Sequence, residues 1–408
     1  MSGAISVVGL INEHKREIAS ASKPESRPSL DFSRRIPELD GLRGVAIGMV
    51  LYYHLVTIAL VIHPHVMLGY FQTTTRLFWS GVDLFFLLSG FLIGGILLDA
   101  RDSPNYFKTF YFRRCCRILP IYFLFLGLVG IAYVFVYRPV GPSLDWVFAG
   151  KLPWYSYLSF AQNLWMTKSN TPGATILGST WSLAVEEQFY LVLPLVIRFV
   201  RRSALPYVLI TGLVIAPILR LSVGCLFPTN VWANYSLLPC RMDPLLLGAL
   251  CAYYLRQPGV WSLLVRQRAA LWIISLPLLA GMPILNIRWD TLKPVVACLL
   301  MTASCSWMAM FYAIVLLLAL TDSRSLLSRV LRWPSLAALG AVAYSVYLFH
   351  SGVYGLCVWL FTKHEWLLAS WKDLGVTLLA VAITIAFGKL SWRYFEKPIV
   401  RWGHTWQY

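Results

Sequence analysis

A series of long apolar segments constrains this chain more than any other feature of its sequence. Residues 295–320 form one such segment and contain no charged residue. A helix needs about 20 apolar residues to span a bilayer. Similar segments recur near residues 43–63, 79–98, 117–137, 180–199, 205–227, 237–255, 270–287, 336–361 and 372–394. The sequence therefore predicts an all-α, polytopic membrane protein of about ten transmembrane helices.

The composition and the ends of the chain agree with this prediction. Hydrophobic residues make up 58% of the chain and charged residues 13%, whereas about 25% of a soluble domain is charged. A soluble enzyme, a disordered protein and a disulfide scaffold are thereby excluded. We expect a disordered cytosolic tail over residues 1–35, which lack the apolar segment of a signal peptide. A membrane domain follows over residues 36–400, with a short C-terminal tail over residues 401–408.

The basic residues indicate topology rather than nucleic-acid binding. A net charge of +17 would suggest a nucleic-acid partner in a soluble protein. If the N-terminus lies in the cytosol and the spans alternate, most loop Lys and Arg residues fall on the cytosolic side, as the positive-inside rule requires. We therefore expect both termini in the cytosol, a multi-pass location in the inner (cytoplasmic) membrane, and no nucleic-acid partner.

Ionisable residues inside a span are costly and mark candidate sites. Ten residues separate Arg43 from His54, so an α-helix places both on one face, about 16.5 Å apart along its axis. Asp40 precedes Arg43 by one helical turn and can pair with it. A neutral imidazole near the midplane can take a proton from a hydroxyl. The alternative is that Arg43 anchors the helix at the cytosolic side and His54 bonds a neighbouring helix.

Two further segments place charge at the ends of apolar helices. Asp83 lies early in GVDLFFLLSGF, where Ser89 and Gly90 are small enough for close helix approach. Asp83 is either a site residue or the structural partner of an Arg. Arg114 and Arg117 share a helix face, and two guanidinium groups suit bidentate phosphate binding. Their alternative role is anchoring at the inner side of the membrane.

Polar stripes on two later helices complete the candidate residues. Ser182, Glu186 and Tyr190 recur at every fourth position and share one face. The alternative for Glu186 is a favourable interaction with the helix dipole. Tyr347 belongs to an aromatic stripe, a pattern more typical of packing than of binding, with His350 beside it. Arg241 is expected to hold helix ends together through ion pairs.

These motifs also occur together, in this order, in one protein family. They are LDGLRG with the Arg43–His54 pair, GVDLFFLLSGFLI, RRCCRILP, STWSLAVEEQFYLVLP, RMDPLLLGAL, AYSVYLFH and RYFEKP. Through them the chain resembles the acyltransferase-3 family of integral membrane O-acyltransferases over roughly residues 37–400.

The resemblance implies a reaction and assigns residues to it. Members transfer an acyl group, often acetyl, from acyl-coenzyme A to a hydroxyl, with sugars of surface polysaccharides and lipid-linked glycans among the acceptors. The family's R-x10-H pair matches Arg43 and His54, its R-x-x-R pair matches Arg114 and Arg117, and its VE-x-Q-FY motif includes Glu186 and Tyr190, with Glu187 at the variable position. Some members carry a C-terminal extracytoplasmic domain, which we do not expect here.

The chemistry of these residues fits the implied reaction. We hypothesise that His54 is a general base oriented by Glu186 or Asp83, with a transient acyl-histidine as the alternative. The predicted site residues are His54, Glu186 and Asp83 for catalysis, Arg43, Arg114 and Arg117 for acyl-CoA, and Asp40, Ser182, Tyr190, Arg241, Tyr347 and His350 in support.

Two alternative functions fit the same sequence features, and the hypothesis also predicts which ligands the chain binds. The other functions are a transporter or flippase for a lipid-linked or hydrophobic substrate, which the intramembrane charges would also suit, and a non-catalytic scaffold. We expect acyl-CoA as a co-substrate, a glycan or glycoside as acceptor, and no permanently bound cofactor. No metal site is expected, since His63 and His65 flank Pro64 with no further ligand nearby.

Overall fold

The computed structural model describes residues 36–58, 75–150, 152–285, 294–362, 368 and 370–408. The predicted tail of residues 1–35 and the two histidines His63 and His65 lie outside these residues. The described chain is helical and contains no β-strand, so the all-α prediction is confirmed for this part of the molecule.

Long helices occupy all of the predicted apolar segments. They are α1 (Pro37–Tyr52), α2 (Gly81–Asp99), α3 (Tyr106–Ala132), α4 (Trp181–Phe199), α5 (Leu205–Leu226), α6 (Leu238–Tyr254), α7 (Arg268–Leu285), α8 (Pro294–Thr321), α9 (Ala343–Phe361) and α10 (Trp371–Ser391). Shorter helices connect them, at Arg76–Ser80, Arg138–Val140, Gly141–Leu144, Asp145–Phe148, Trp154–Leu158, Gln162–Ser169, Thr175–Gly178, Val231–Ser236, Val260–Arg266, Leu326–Leu331, Pro334–Ala341 and Lys397–Gly403. Three π-helical segments extend longer helices, at Tyr53–Thr57, Tyr133–Tyr137 and Trp392–Glu396.

Not all of the long helices are apolar enough to cross a membrane unaided. The described residues include six that are, at Arg76–Asp99, Tyr106–Phe148, Leu205–Leu226, Val296–Thr321, Ala343–Phe361 and Trp371–Gly403. A seventh forms if Val260–Arg266 and Arg268–Pro283, bent by 69°, count as one span. The chain is therefore a multi-pass membrane protein.

The three remaining predicted spans, α1, α4 and α6, differ from the others in length or charge. Helix α6 has 17 residues, which is short of the roughly 20 that a span requires. Helix α1 has 16 residues and continues through the five-residue π-helical segment, but it carries Glu38, Asp40 and Arg43. Helix α4 is long enough but carries Glu186, Glu187 and Arg198. These helices hold much of the candidate site, so the polar residues that form it also lower their hydropathy.

Glycines bring α2 and α6 into backbone contact. A Cβ atom on Gly90 would lie 1.9 Å from the carbonyl oxygen of Leu245, and one on Gly248 would lie 2.1 Å from that of Leu87. Only glycine allows this crossing, because any side chain would overlap the facing backbone. The close approach predicted at Ser89-Gly90 is thus confirmed.

The LDGLRG segment at the start of α1 packs against the helices that precede α9. A Cβ atom on Gly41 would lie 2.0 Å from the carbonyl oxygen of Leu331, and one on Gly340 would lie 1.9 Å from that of Asp40. This contact fixes the first turns of α1, and with them Arg43, beside the start of α9.

Candidate active site

A cavity of about 230 Å³ lies among α1, α2, α3, α4 and α9. It is lined by Arg43, Val82, Phe85, Phe86, Leu88, Ser89, Leu92, Ile93, Ile96, Arg114, Arg117, Ile118, Ser182, Leu183, Glu186, Tyr190, Gly340, Ala343, Tyr344 and Tyr347. Residues that the sequence singled out on four separate helices therefore converge on one space, namely Arg43, Arg114, Arg117, Ser182, Glu186, Tyr190 and Tyr347.

Positive charge dominates the cavity. Of the described residues that line it, three carry a guanidinium group and one, Glu186, carries a carboxylate. The carboxylate of Asp40 lies 3.6 Å from the guanidinium of Arg43, as the sequence predicted. The guanidinium of Arg117 lies 4.8 Å from the ring centre of Trp392, and the buried Nε of Arg114 has no hydrogen-bond acceptor among the described residues. The cavity thus holds more guanidinium groups than carboxylates, and among the described residues one buried guanidinium N–H, the Nε–H of Arg114, has no acceptor.

Glu186 is held on one wall of the cavity by polar neighbours. The Ser89 hydroxyl lies within hydrogen-bonding reach of its carboxylate, and the charges of Arg43 and Arg114 act on it. Ser89 also lies 2.5 Å from the Tyr190 hydroxyl. The polar stripe predicted on α4 therefore faces the cavity, and its contacts with Ser89 connect α4 to α2.

The other two polar residues of the same motif point elsewhere. Glu187 does not line the cavity, and one oxygen of its buried carboxylate has no hydrogen-bond partner among the described residues. The amides of Gln188 and Asn163 exchange hydrogen bonds of 2.9 and 3.2 Å. Gln188 therefore fastens α4 to the short helix Gln162–Ser169, which is a structural role.

His54 lies beyond the cavity, in the π-helical segment Tyr53–Thr57. π-helical segments inside α-helices frequently mark functional sites. The His54 Nδ1 atom lies 3.0 Å from the carbonyl oxygen of Val50. Because a carbonyl only accepts, Nδ1 must carry the hydrogen and Nε2 keeps its lone pair. The backbone of Val50, rather than Glu186 or Asp83, therefore orients this imidazole.

A second imidazole packs against the first. The ring centroids of His54 and His350 are 5.0 Å apart. His350 is fully buried; its Nδ1 donates to the carbonyl of Tyr347 at 2.7 Å, and its Nε2 accepts from the Ser351 hydroxyl at 3.1 Å. Both rings therefore hold the same tautomer, fixed by backbone carbonyls.

Asp83 and Arg241 form a buried ion pair away from the cavity lining. Arg241 donates to Asp83 at 2.7 Å, and neither side chain is exposed. A second buried pair joins Arg220 to Asp243 at 2.7 Å, and the Ser306 hydroxyl donates to Asp243 at 2.9 Å. This geometry favours the structural alternative for Asp83, and Arg241 joins α6 to α2 by the ion pairing that was predicted.

Aromatic rings enclose the Arg241 guanidinium. Its carbon lies 5.1 Å from the ring centre of Tyr235, 5.6 Å from Trp79 and 5.7 Å from Trp181. Cation–π attraction is strong where water is excluded. Since Trp181 immediately precedes Ser182, this cluster also supports one wall of the cavity.

Sequence reasoning did not identify all residues of the cavity. Phe85, Ser89 and Tyr344 line it but were not among the predicted site residues. Each lies in a motif that was recognised, and the tyrosine stripe on α9 contained the signal for Tyr344. Among the described residues, no group of three or more His, Cys, Asp or Glu side chains could hold a metal ion.

The C-terminal residues pack on α3 beside the arginines. Arg113 donates to the carbonyl of Trp406 at 3.0 Å through its Nε, and Thr109 donates to the carbonyl of Gln407 at 2.8 Å. The rings of Phe112 and Trp406 stack at 4.3 Å. Burial lowers the pKa of His404, and the positive charges of Arg113, Arg114 and Arg117 lower it further.

Comparison with known proteins places this arrangement in a family. A family model described as an acyltransferase domain matches residues 36–392. The chain belongs to this acyltransferase family. The resemblance inferred from the seven motifs is thereby confirmed, and the family model covers the cavity, the histidine pair and the buried ion pairs.

Curated relatives carry names that fit the family. The chain is 25% identical over 393 residues to O-acetyltransferase OatA of Staphylococcus aureus (strain NCTC 8325 / PS 47), in a match that covers 91% of this chain and 58% of that protein. It is 24% identical over 401 residues to the peptidoglycan O-acetyltransferase OatA of Listeria monocytogenes serovar 1/2a, covering 91% and 57%. The chain therefore spans less than two thirds of the length of these relatives. No solved structure matches the chain.

Proposed function

We propose that this chain is an O-acetyltransferase that moves an acetyl group from cytosolic acetyl-CoA to a sugar hydroxyl of a surface polysaccharide or lipid-linked glycan. Membership of the acyltransferase family supports the reaction class. The names of the two OatA relatives support acetyl as the group and a glycan as the acceptor class.

The observation that carries the proposal is the convergence of Arg43, Arg114 and Arg117 on one cavity. Coenzyme A is polyanionic, and guanidinium groups bind phosphate oxygens through paired, charge-assisted hydrogen bonds. The Nε–H of Arg114, which has no acceptor in the described part of the chain, is a donor suited to such an oxygen. Glu186 supplies an opposite charge that offsets the mutual repulsion of the guanidinium groups before the donor binds.

His54 is the group proposed to act on the acceptor. The Val50 carbonyl holds the hydrogen on Nδ1, so the Nε2 lone pair is free to take the hydroxyl proton. The hydroxyl oxygen then bonds to the thioester carbonyl carbon, the carbon–sulfur bond breaks, and coenzyme A leaves as a thiolate. In the alternative, Nε2 itself attacks the thioester and passes the acyl group on.

This function requires a particular topology. The proposed orientation has about ten spans, both termini in the cytosol, and residence in the cytoplasmic membrane. Arg43 precedes His54 along one helix, so a cytosolic start of α1 would place the arginines on the donor side and His54 towards the acceptor side.

Binding of the donor tests the proposal directly. Purified full-length chain in detergent should bind acetyl-CoA, and Arg114→Ala should weaken binding about 10- to 100-fold through lost charge-assisted hydrogen bonds. Arg201→Ala, in an exposed loop, is the matched control and should bind as the wild type does. Equal binding by both variants would contradict the proposed donor site.

The same system separates the enzyme from a transporter. Vesicles from cells that carry the chain should incorporate label from [14C]acetyl-CoA into glycan, and the label should be released by mild alkali as acetate. A flippase would move a glycan across the membrane without any such incorporation. Trapping with labelled acetyl-CoA tests the mechanism, because a stable, acid-resistant serine or cysteine adduct would contradict both roles of His54.

A further inference from the structure

Tyr347 belongs both to the cavity and to the histidine pair. Its side chain lines the cavity, its ring centroid lies 5.9 Å from that of His350, and its backbone carbonyl accepts the hydrogen bond from His350 Nδ1. Neither His54 nor His350 lines the cavity. Tyr347 therefore contacts both the space that contains the arginines and His350, whose ring packs against the imidazole proposed as the base.

The Tyr347 side chain is held in this position by Ser182 on α4 and by the backbone of Ser179, just before α4 begins. Its hydroxyl lies 2.6 Å from the Ser182 hydroxyl and donates to the carbonyl of Ser179 at 2.9 Å. The Ser182 hydroxyl also lies 3.2 Å from the Ser179 carbonyl oxygen, so both hydroxyls are anchored to the same backbone carbonyl as well as to each other. The Phe85 ring also packs edge-on against the Tyr347 ring, with centroids 6.2 Å apart.

These contacts connect three helices in one layer. Phe85 lies on α2, Ser182 on α4 and Tyr347 on α9, and all three line the cavity. We call Phe85, Ser182 and Tyr347 the partition. Buried hydroxyl bonds of this kind keep a side chain in one rotamer, because leaving either partner unsatisfied is costly.

We infer that the partition is a positioning element that keeps the donor thioester apart from His54 until an acceptor is present. The inference rests on the proposed function, because it assigns the cavity to acyl-CoA. Tyr347 and Ser182 are then positioning residues: neither reacts, and their hydrogen bond sets how readily the partition opens.

The chemistry explains why such a separation is needed. A base that removes a proton from a sugar hydroxyl can also remove one from water. The water oxygen would then bond to the thioester carbonyl carbon, the carbon–sulfur bond would break, and the products would be acetate and coenzyme A. A closed partition suppresses this loss of acetyl-CoA by excluding water from the reacting atoms.

The test measures hydrolysis of acetyl-CoA and acetyl transfer to glycan in one assay. Inverted membrane vesicles from the native host are given [14C]acetyl-CoA, and label is counted as free acetate and as alkali-labile label on glycan. Tyr347→Phe keeps the ring and removes the hydroxyl, and Ser182→Ala removes its partner. Both should raise the ratio of acetate to labelled glycan about two- to tenfold, as expected for one lost hydrogen bond.

Two controls make the result specific. Tyr354→Phe removes the hydroxyl of another buried tyrosine on α9 that does not line the cavity, and should leave the ratio unchanged. Adding His54→Ala to Tyr347→Phe should return acetate release to background, since the extra hydrolysis depends on the imidazole.

The outcomes distinguish this inference from the proposed function. If glycan labelling persists but neither Tyr347→Phe nor Ser182→Ala changes the ratio, the role inferred for the partition is wrong, whereas the proposed acetyltransferase function is unaffected. Extra hydrolysis that survives His54→Ala would also overturn the partition. If wild-type vesicles neither label glycan nor bind acetyl-CoA, the proposed function fails and the inference fails with it.

Discussion

The imidazole of His54 lies 5.0 Å, centroid to centroid, from that of His350, with the two ring planes tilted by 49°. Each Nδ1 is within hydrogen-bonding distance of a backbone carbonyl, that of Val50 or Tyr347. Among the described residues, the second ring nitrogen of His350 has a hydrogen-bond partner, the Ser351 hydroxyl, and that of His54 has none. The two imidazoles therefore differ in their hydrogen bonding, and this difference supports the proposal that His54 carries the reactive lone pair.

Replacing His54 should remove the chemistry and leave donor binding intact. We expect His54→Ala to lower glycan acetylation about 10²- to 10⁴-fold, the range that a general base contributes. Acetyl-CoA binding should stay within twofold of the wild type, because His54 does not line the cavity. Labelled transfer and equilibrium binding measure the two effects. His404→Ala is the control, and transfer that survives His54→Ala would exclude His54 as the reactive group.

The two adjacent carboxylates of α4 should respond differently to neutralisation. Glu186→Gln removes the negative charge from a cavity with three guanidinium groups, so free coenzyme A should bind more tightly, roughly three- to tenfold. Glu187→Gln should have a smaller effect, since that side chain does not line the cavity. Titration calorimetry with coenzyme A compares the two. Weaker binding by Glu186→Gln would show that this carboxylate orients the arginines more than it repels the donor.

The sequence predicted the convergence of the arginines with the polar face of α4, but not that His54 and Asp83 lie outside the cavity lining, nor how they are paired. Helical periodicity placed Ser182, Glu186 and Tyr190 on one face, and that face does line the cavity. The partner of Asp83 depends on how α2 crosses α6, which a single sequence does not contain. The Val50 carbonyl could not be foreseen as the partner of His54 either, because the local π-helical register follows from tertiary packing.

The docking of the C-terminal residues on α3 should weaken as the pH falls. An unfolded imidazole titrates near pH 6.5, and the pKa of His404 in the folded protein is lower because of burial and the nearby Arg113, Arg114 and Arg117. Below about pH 6.5 the undocked segment therefore binds more protons than the docked one, so docking loses stability as the pH falls.

Limited proteolysis of the C-terminal segment measures this effect. Cleavage after residue 400 should accelerate between about pH 7.5 and pH 5.5 in the wild type. His404→Asn removes the titrating group and should flatten this dependence. An unchanged pH profile in His404→Asn would show that another group controls the docking.

Breaking the Asp83–Arg241 pair should lower the free energy of unfolding, and any loss of acetyl transfer should follow from that loss of stability. Asp83→Asn leaves a fully buried guanidinium without its counter-charge, and we expect a loss of about 3–5 kcal/mol. Asp102→Asn is the matched control: it breaks an ion pair of 2.6 Å with Arg202 in which the Asp102 side chain is 75% exposed. Exposed pairs contribute about 0–1 kcal/mol, so this variant should unfold as the wild type does.

The double variant Asp83→Leu, Arg241→Met removes both buried charges together and should regain much of the lost stability, because well-packed apolar residues can replace a buried pair. Thermal unfolding in detergent, followed by tryptophan fluorescence, measures all of these variants. If Asp83→Asn unfolds at the wild-type temperature and yet abolishes acetyl transfer, Asp83 takes part in the reaction, and the structural role inferred from its 2.7 Å contact with Arg241 is wrong.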